Sequence, residues 1–248
     1  MPNLLRTSNP ALNAKAFQGQ VAAGEAMTLQ GTVNKTGILL ICTVATAAWT
    51  WERFVADGPQ AVLPLLIAGG IGGFIMALVT IFKKEWSPFT APAYALLEGL
   101  VLGGISAMMN ASAPGVAIQA VSLTFGTLFV LLVLYASRII SVTQKFRIGV
   151  IAATGAIALL YLGTFILGFF GVHTFSIFGN GLIGIAFSAF VVVIAALNLV
   201  LDFDFIETAT NMGVPKYMEW YAGFGLMVTL IWLYLEILRL LVKLRGRR

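Results

Sequence analysis

The chain has 248 residues, 59% of them hydrophobic and only 10% charged, with 15 Lys and Arg against 10 Asp and Glu for a formal charge of +5. So little charge cannot cover a globule with polar surface, which excludes a soluble protein and leaves a one-domain integral membrane protein. The basic excess then belongs to cytoplasmic loops and anionic headgroups rather than to nucleic acid, and the single cysteine, Cys42, excludes an intrachain disulfide or a cysteine metal cluster.

Residues 1–32 read as a polar cytoplasmic arm. Arg6 and Lys15 are followed by GQVAAGEAMTLQGT rather than by an apolar run, so the order of a cleavable signal is missing. A spanning helix needs roughly 20 mostly apolar residues to cross about 30 Å of hydrocarbon. Within residues 33–248 the stretches 33–51, 61–82, 92–109, 117–135, 148–170 and 177–201 qualify, the last extending past its acids, and a further span lies within 218–241. The fold class predicted is an all-α polytopic membrane protein with seven transmembrane helices.

Flanking aromatics, among them Trp49, Trp51, Trp86, Tyr217, Trp220 and Tyr221, suit anchoring at headgroup level. The GGIGG run of Gly69, Gly70, Gly72 and Gly73, with Gly103 and Gly104 in the third span and Gly181 and Gly184 near the sixth, predicts close helix packing rather than a phosphate loop. Loop charge sets the orientation. Lys83, Lys84, Arg138, Lys145, Arg147 and Lys216 oppose Arg53, which places the N-terminus in the cytoplasm; the basic tail of Arg239, Lys243, Arg245, Arg247 and Arg248 pulls the other way. Seven full spans put that tail outside.

Acids within apolar spans are the functional candidates, because a carboxylate at the bilayer centre costs about 2.5–3.5 kcal/mol and is kept only where it faces protein or water. They are Glu98, Asp202, Asp204, Glu207 and Glu236. Counted from Pro92, Glu98 lies roughly 9 Å along the third span, and Asp202 lies roughly 10 Å from the end of a sixth helix reaching Ala209, so the two share a depth. Asp204 and Glu207 either join that site or mark a solvated helix end. Counted from Met218, Glu236 is about 27 Å along, near the far surface and one turn from Arg239. A break at Gly223 and Gly225 would instead put it roughly 18 Å along, within about 8 Å of the depth of Asp202. Two carboxyls brought close titrate as a unit: protonated they share a hydrogen bond, ionised they repel and offer oxygens to a hard cation such as calcium.

Catalysis is not expected. The lone histidine, His173, falls in the loop after the fifth span, so Ser106 in the third has no helix-borne base and no HExxH zinc site exists. No Gly-x-Gly-Asp of an intramembrane aspartyl protease is present. No bound cofactor is expected either.

The segments ALLEGLVLG (95–103), LDFDFIE (201–207) and WLYLEILRLL (232–241), in a seven-span layout, resemble the Bax inhibitor family, and within it the bacterial YccA-like branch. The resemblance implies a fold whose last helix is wrapped by the other six. It also implies a pH-sensitive calcium leak of the cell membrane, gated by an acidic pair on helices six and seven. On this chain the pair maps to Asp202 and to Glu236, where the family commonly has Asp, with Glu98 and Asp204 lining the path. The partners expected are the bilayer, protons and cations, calcium foremost. The alternative, also implied by the YccA-like branch, is a non-conducting modulator of a membrane protease or other complex acting through the N-terminal arm. A proton-coupled transporter would show internal repeats, and none is evident.

Overall fold

The structure, a computed structural model, describes residues 25–170, 179 and 181–246. Seven helices long and apolar enough to cross a membrane follow one another. They are α1 (Leu29–Asp57), α2 (Pro59–Phe82), α3 (Ser87–Ser112), α4 (Val116–Ala136), α5 (Gln144–Phe169), α6 (Leu182–Asn211) and α7 (Met218–Arg245). Among the described residues there is no strand beyond one bridge between Ala26 and Pro215.

Local chemistry explains where the helices start and stop. The Thr28 hydroxyl accepts from the Gly31 amide and starts α1 earlier than the apolar run does. The helix then runs past Glu52 and Arg53 to Asp57, which pairs with Arg53 one turn earlier at 3.2 Å. Gly58, at φ 83°, makes the whole connection to α2, a left-handed conformation that glycine adopts without a Cβ penalty. Pro59 then opens α2, and Pro88 lies in the first turn of α3, positions where a missing N–H costs nothing. The start expected at Pro92 is therefore wrong: Pro92 lies inside α3. Thr143 caps α5 by accepting from the Phe146 amide at 3.2 Å.

The last helix is the axis. α7 packs against α1, α3, α4 and α6, while α2 lies outside α1 and α3, and α5 lies outside α6. Tyr221, Phe224, Met227, Leu233 and Leu238 of α7 are among the largest fully buried side chains. A helix apolar all round is stable only inside such a ring. The outer helices show large side chains to lipid instead, such as Ile71, Phe74, Phe129 and Leu159. Tyr221 is thus core rather than an interfacial anchor.

Small residues set how closely α1, α2 and α3 approach. A Cβ on Gly69 would come within 2.6 Å of the Leu97 carbonyl oxygen, and Gly72 and Gly73 also face α3. Gly103 gives up its side-chain space to the Ala47 carbonyl of α1. Gly70 opens outward onto nothing within 4 Å.

Candidate functional site

The antiparallel register of α6 and α7 places the two central acids. At the arm end, Phe205, Ile206 and Ala209 cluster with Met218, Tyr221 and Ala222. At the other end, the Lys243 ammonium donates to the Gly184 carbonyl at 3.1 Å and to the Ser188 hydroxyl at 2.8 Å. Carrying that register along sets Asp202 level with residues 225–229 of α7, and Glu236 level with residues 191–195 of α6. The acids are therefore about 14 Å apart along the axis. Each lies about 14 Å from its own end of the bundle, Asp202 from Asn211 and Glu236 from Arg245.

The helix break that would have brought them together does not occur: α7 is continuous through Gly223 and Gly225. Gly223 serves packing instead, since a Cβ there would meet the Thr36 hydroxyl of α1 at 3.0 Å. Both acids are nonetheless removed from water, Asp202 at 0% and Glu236 at 1% exposure.

Glu236 has a defined set of neighbours. Its Oε1 accepts from the Tyr161 hydroxyl of α5 at 2.9 Å and from Arg239, one turn on, at 2.7 Å. Arg239 also donates to the Tyr161 oxygen at 2.9 Å, closing a three-membered network. Oε2 is buried and makes no hydrogen bond. The nearby Arg239 partner was legible from the sequence; Tyr161 was not, because nothing in an apolar fifth span announces which face meets α7.

The other candidates are dispersed. Glu98, half-buried, turns toward α2, where its Oε2 would stand 3.0 Å from a Cβ on Gly73. Counted from Ser87 it lies roughly 16 Å along α3 rather than 9 Å. Asp204 pairs with Arg147 of α5 at 2.6 Å. Glu207 accepts from the Tyr135 hydroxyl and from Arg138, whose own pKa is raised by that bond. Asp204 and Glu207 thus fasten the α4–α5 connection to α6. They do not join Asp202.

One acid escaped sequence reasoning. Glu219, fully buried in the first turn of α7, accepts from the Thr28 amide and hydroxyl, each at 2.9 Å, and pairs with Lys35. Around it residues 25–28 lie along the α6–α7 turn: the Met27 amide donates to the Val214 carbonyl at 2.7 Å and the Lys216 amide to the Glu25 carbonyl at 3.0 Å. Lys216 also bonds the Glu25 carboxylate, holding it below the ordinary Glu range. Met27, 2% exposed, packs on Phe205, Ile206 and Tyr221. That apolar cluster lies on the arm side of Asp202 along α6. An acid in a helix's first turn complements the dipole, which was the available signal.

Among the described residues no group of three or more His, Cys, Asp or Glu converges to hold a metal. A calcium ion takes six to eight oxygens at about 2.3–2.6 Å. With about 14 Å between them, Asp202 and Glu236 cannot share one. His173, Arg6, Lys15, Arg247 and Arg248 lie outside the described residues. Comparison with curated proteins and with solved structures finds no match. The family model described as Bax inhibitor 1 like matches residues 9–246, nearly the whole chain, and the chain belongs to that family.

Proposed function

We propose that the protein is a pH-sensitive cation leak, calcium being the expected ion, of a cytoplasmic membrane with the N-terminal arm inside. The carrying observation is Asp202: a wholly buried carboxylate beside the axial helix, behind a plug formed by Met27, Phe205, Ile206 and Tyr221. Such a group is kept in a membrane interior at a free-energy cost, and function is the usual reason. Glu236 is a second such acid deeper along the same helix pair, so the two act as successive stations rather than as one shared site. Family membership and the resemblance of LDFDFIE and WLYLEILRLL support the same positions. On this reading conduction requires the plug to part and water to reach Asp202. The purified chain in liposomes loaded with a calcium dye tests this across pH. Asp202→Asn removes the ionised form at near-constant volume and flattens the pH response; an unchanged response overturns the assignment.

A second reading is a non-conducting modulator of a membrane protease or another complex, as the YccA-like resemblance implies. It is favoured by the bolt between Thr28, Lys35 and Glu219, which ties the root of the arm to α7. Removal of residues 1–24 separates the two readings: a leak survives it, and a modulator acting through the arm does not.

A further inference from the structure

At the end of the bundle away from the arm, a cleft of about 450 Å³ opens between α5 and α7, walled by Tyr161, Thr164, Phe165, Arg239, Val242 and Lys243. We propose that this cleft binds an anionic phosphate group, presented by a lipid headgroup or as free phosphate. The proposal is independent of the leak reading.

Three observations carry it. The first is charge. Arg239 and Lys243 both line the cleft, and the carboxylate nearest to them, Glu236, offsets only one of the two. The second is donor geometry. Arg239 spends NH1 on Tyr161 and Glu236, which fixes the plane of a guanidinium whose five donors match phosphate oxygens in pairs. Lys243, 4% exposed, is held by Gly184 and Ser188, so its charge is fixed beside the cleft rather than swinging in solvent. The third is depth. Arg239 and Lys243 lie within about 9 Å of the end of α7, and Thr164 at a similar distance from the end of α5, which is the level of headgroup phosphates. Phe165 and Val242 continue the wall as apolar surface, as an acyl chain below a headgroup requires. Arg245, two residues beyond Lys243, does not take part; it donates to the Pro114 carbonyl and to Gln119 on the α3–α4 side.

The test uses the full chain in detergent and follows its thermal unfolding against added phosphatidylglycerol, diacylglycerol with the same chains, and inorganic phosphate. Phosphatidylglycerol should stabilise and diacylglycerol should not. Stabilisation by inorganic phosphate as well identifies the ion itself as sufficient, and its absence identifies the lipid. Lys243→Met removes the fixed charge and should weaken phosphatidylglycerol binding about tenfold, the loss of one charge-assisted contact; Thr164→Trp fills the cleft without touching any charge and should weaken binding at least as much by excluding the headgroup. If Lys243→Met does not fold, Thr164→Trp decides alone. Equal stabilisation by diacylglycerol, no stabilisation by any of the three, or unweakened phosphatidylglycerol binding in the folded variants overturns the proposal.

Discussion

At the scale of single residues, the structure separates acids that hold the fold together from acids placed where ionisation would change it. Glu219 belongs to the first kind. It satisfies the Thr28 amide and hydroxyl and the Lys35 ammonium from a fully buried position. Glu219→Ala should cost about 2–3 kcal/mol, because a charge-assisted contact is lost and a backbone donor is stranded. A fall in the unfolding temperature of the detergent-solubilised protein measures it, with Lys35→Met costing less because Lys35 is partly exposed. Glu25 gives the arm root a pH dependence. Its hydrogen bond to Lys216 lowers its pKa from 4.5 and raises that of Lys216 from 10.5. A lowered carboxyl stabilises fully above its unfolded value and loses that stability as pH falls through the folded one; a raised ammonium stabilises below its unfolded value and loses it as pH rises through the folded one. Protection of the Met27 amide, its exchange relative to a free amide at the same pH, should therefore fall at both extremes, and Glu25→Gln should remove both limbs, because the one bond to Lys216 makes both shifts. Both groups are exposed, so salt should blunt the effect.

At the scale of elements, the seven spans were legible because about 30 Å of hydrocarbon demands long apolar runs, and nothing else produces them. Their ends were not. Thr28, Pro88 and Thr143 start helices in polar surroundings that hydropathy ignores, so α1, α3 and α5 each begin before the apolar run. The consequence reaches the site, since the earlier start of α3 puts Glu98 deeper than a count from Pro92 does. Gly223 and Gly225 show the same ambiguity: paired glycines signal either a hinge or a close neighbour, and only the position of Thr36 decides between them. The GGIGG run makes this quantitative. Gly69→Ala drives a Cβ to within 2.6 Å of the Leu97 carbonyl and should cost about 1–3 kcal/mol as overpacking. Gly70→Ala meets nothing within 4 Å and should be neutral or gain up to about 1 kcal/mol from helix propensity. Thermal unfolding of the two variants side by side checks the contrast, and equal behaviour would mean that α2 does not present Gly69 to α3.

At the scale of the whole molecule, the arrangement that matters is two buried carboxylates dividing the axis into thirds of about 14 Å. A coupled pair would lose its response once, whichever acid was replaced. Groups separated by that distance change independently, and their substitutions add. Their access also differs. Asp202 lies toward the arm end behind Met27, whereas Glu236 contacts Arg239, 39% exposed at its side chain and lining the cleft near the tail end. The groups facing Glu236 include Tyr161 from α5 and, from its own helix, Arg239 and Lys243, so removing its charge weakens a network that ties α5 to α7. In vesicles of known orientation, acidifying the arm side should act through Asp202 and acidifying the tail side through Glu236. Asp202→Asn should then abolish only the arm-side response of calcium flux, Glu236→Gln only the tail-side response, and the double variant should lose both. If either single variant abolishes both responses, the acids form one switch in the conducting state, and the helices must slide by several turns to bring them together; that is a larger motion than the continuous α7 and its fixed Lys243 contacts allow.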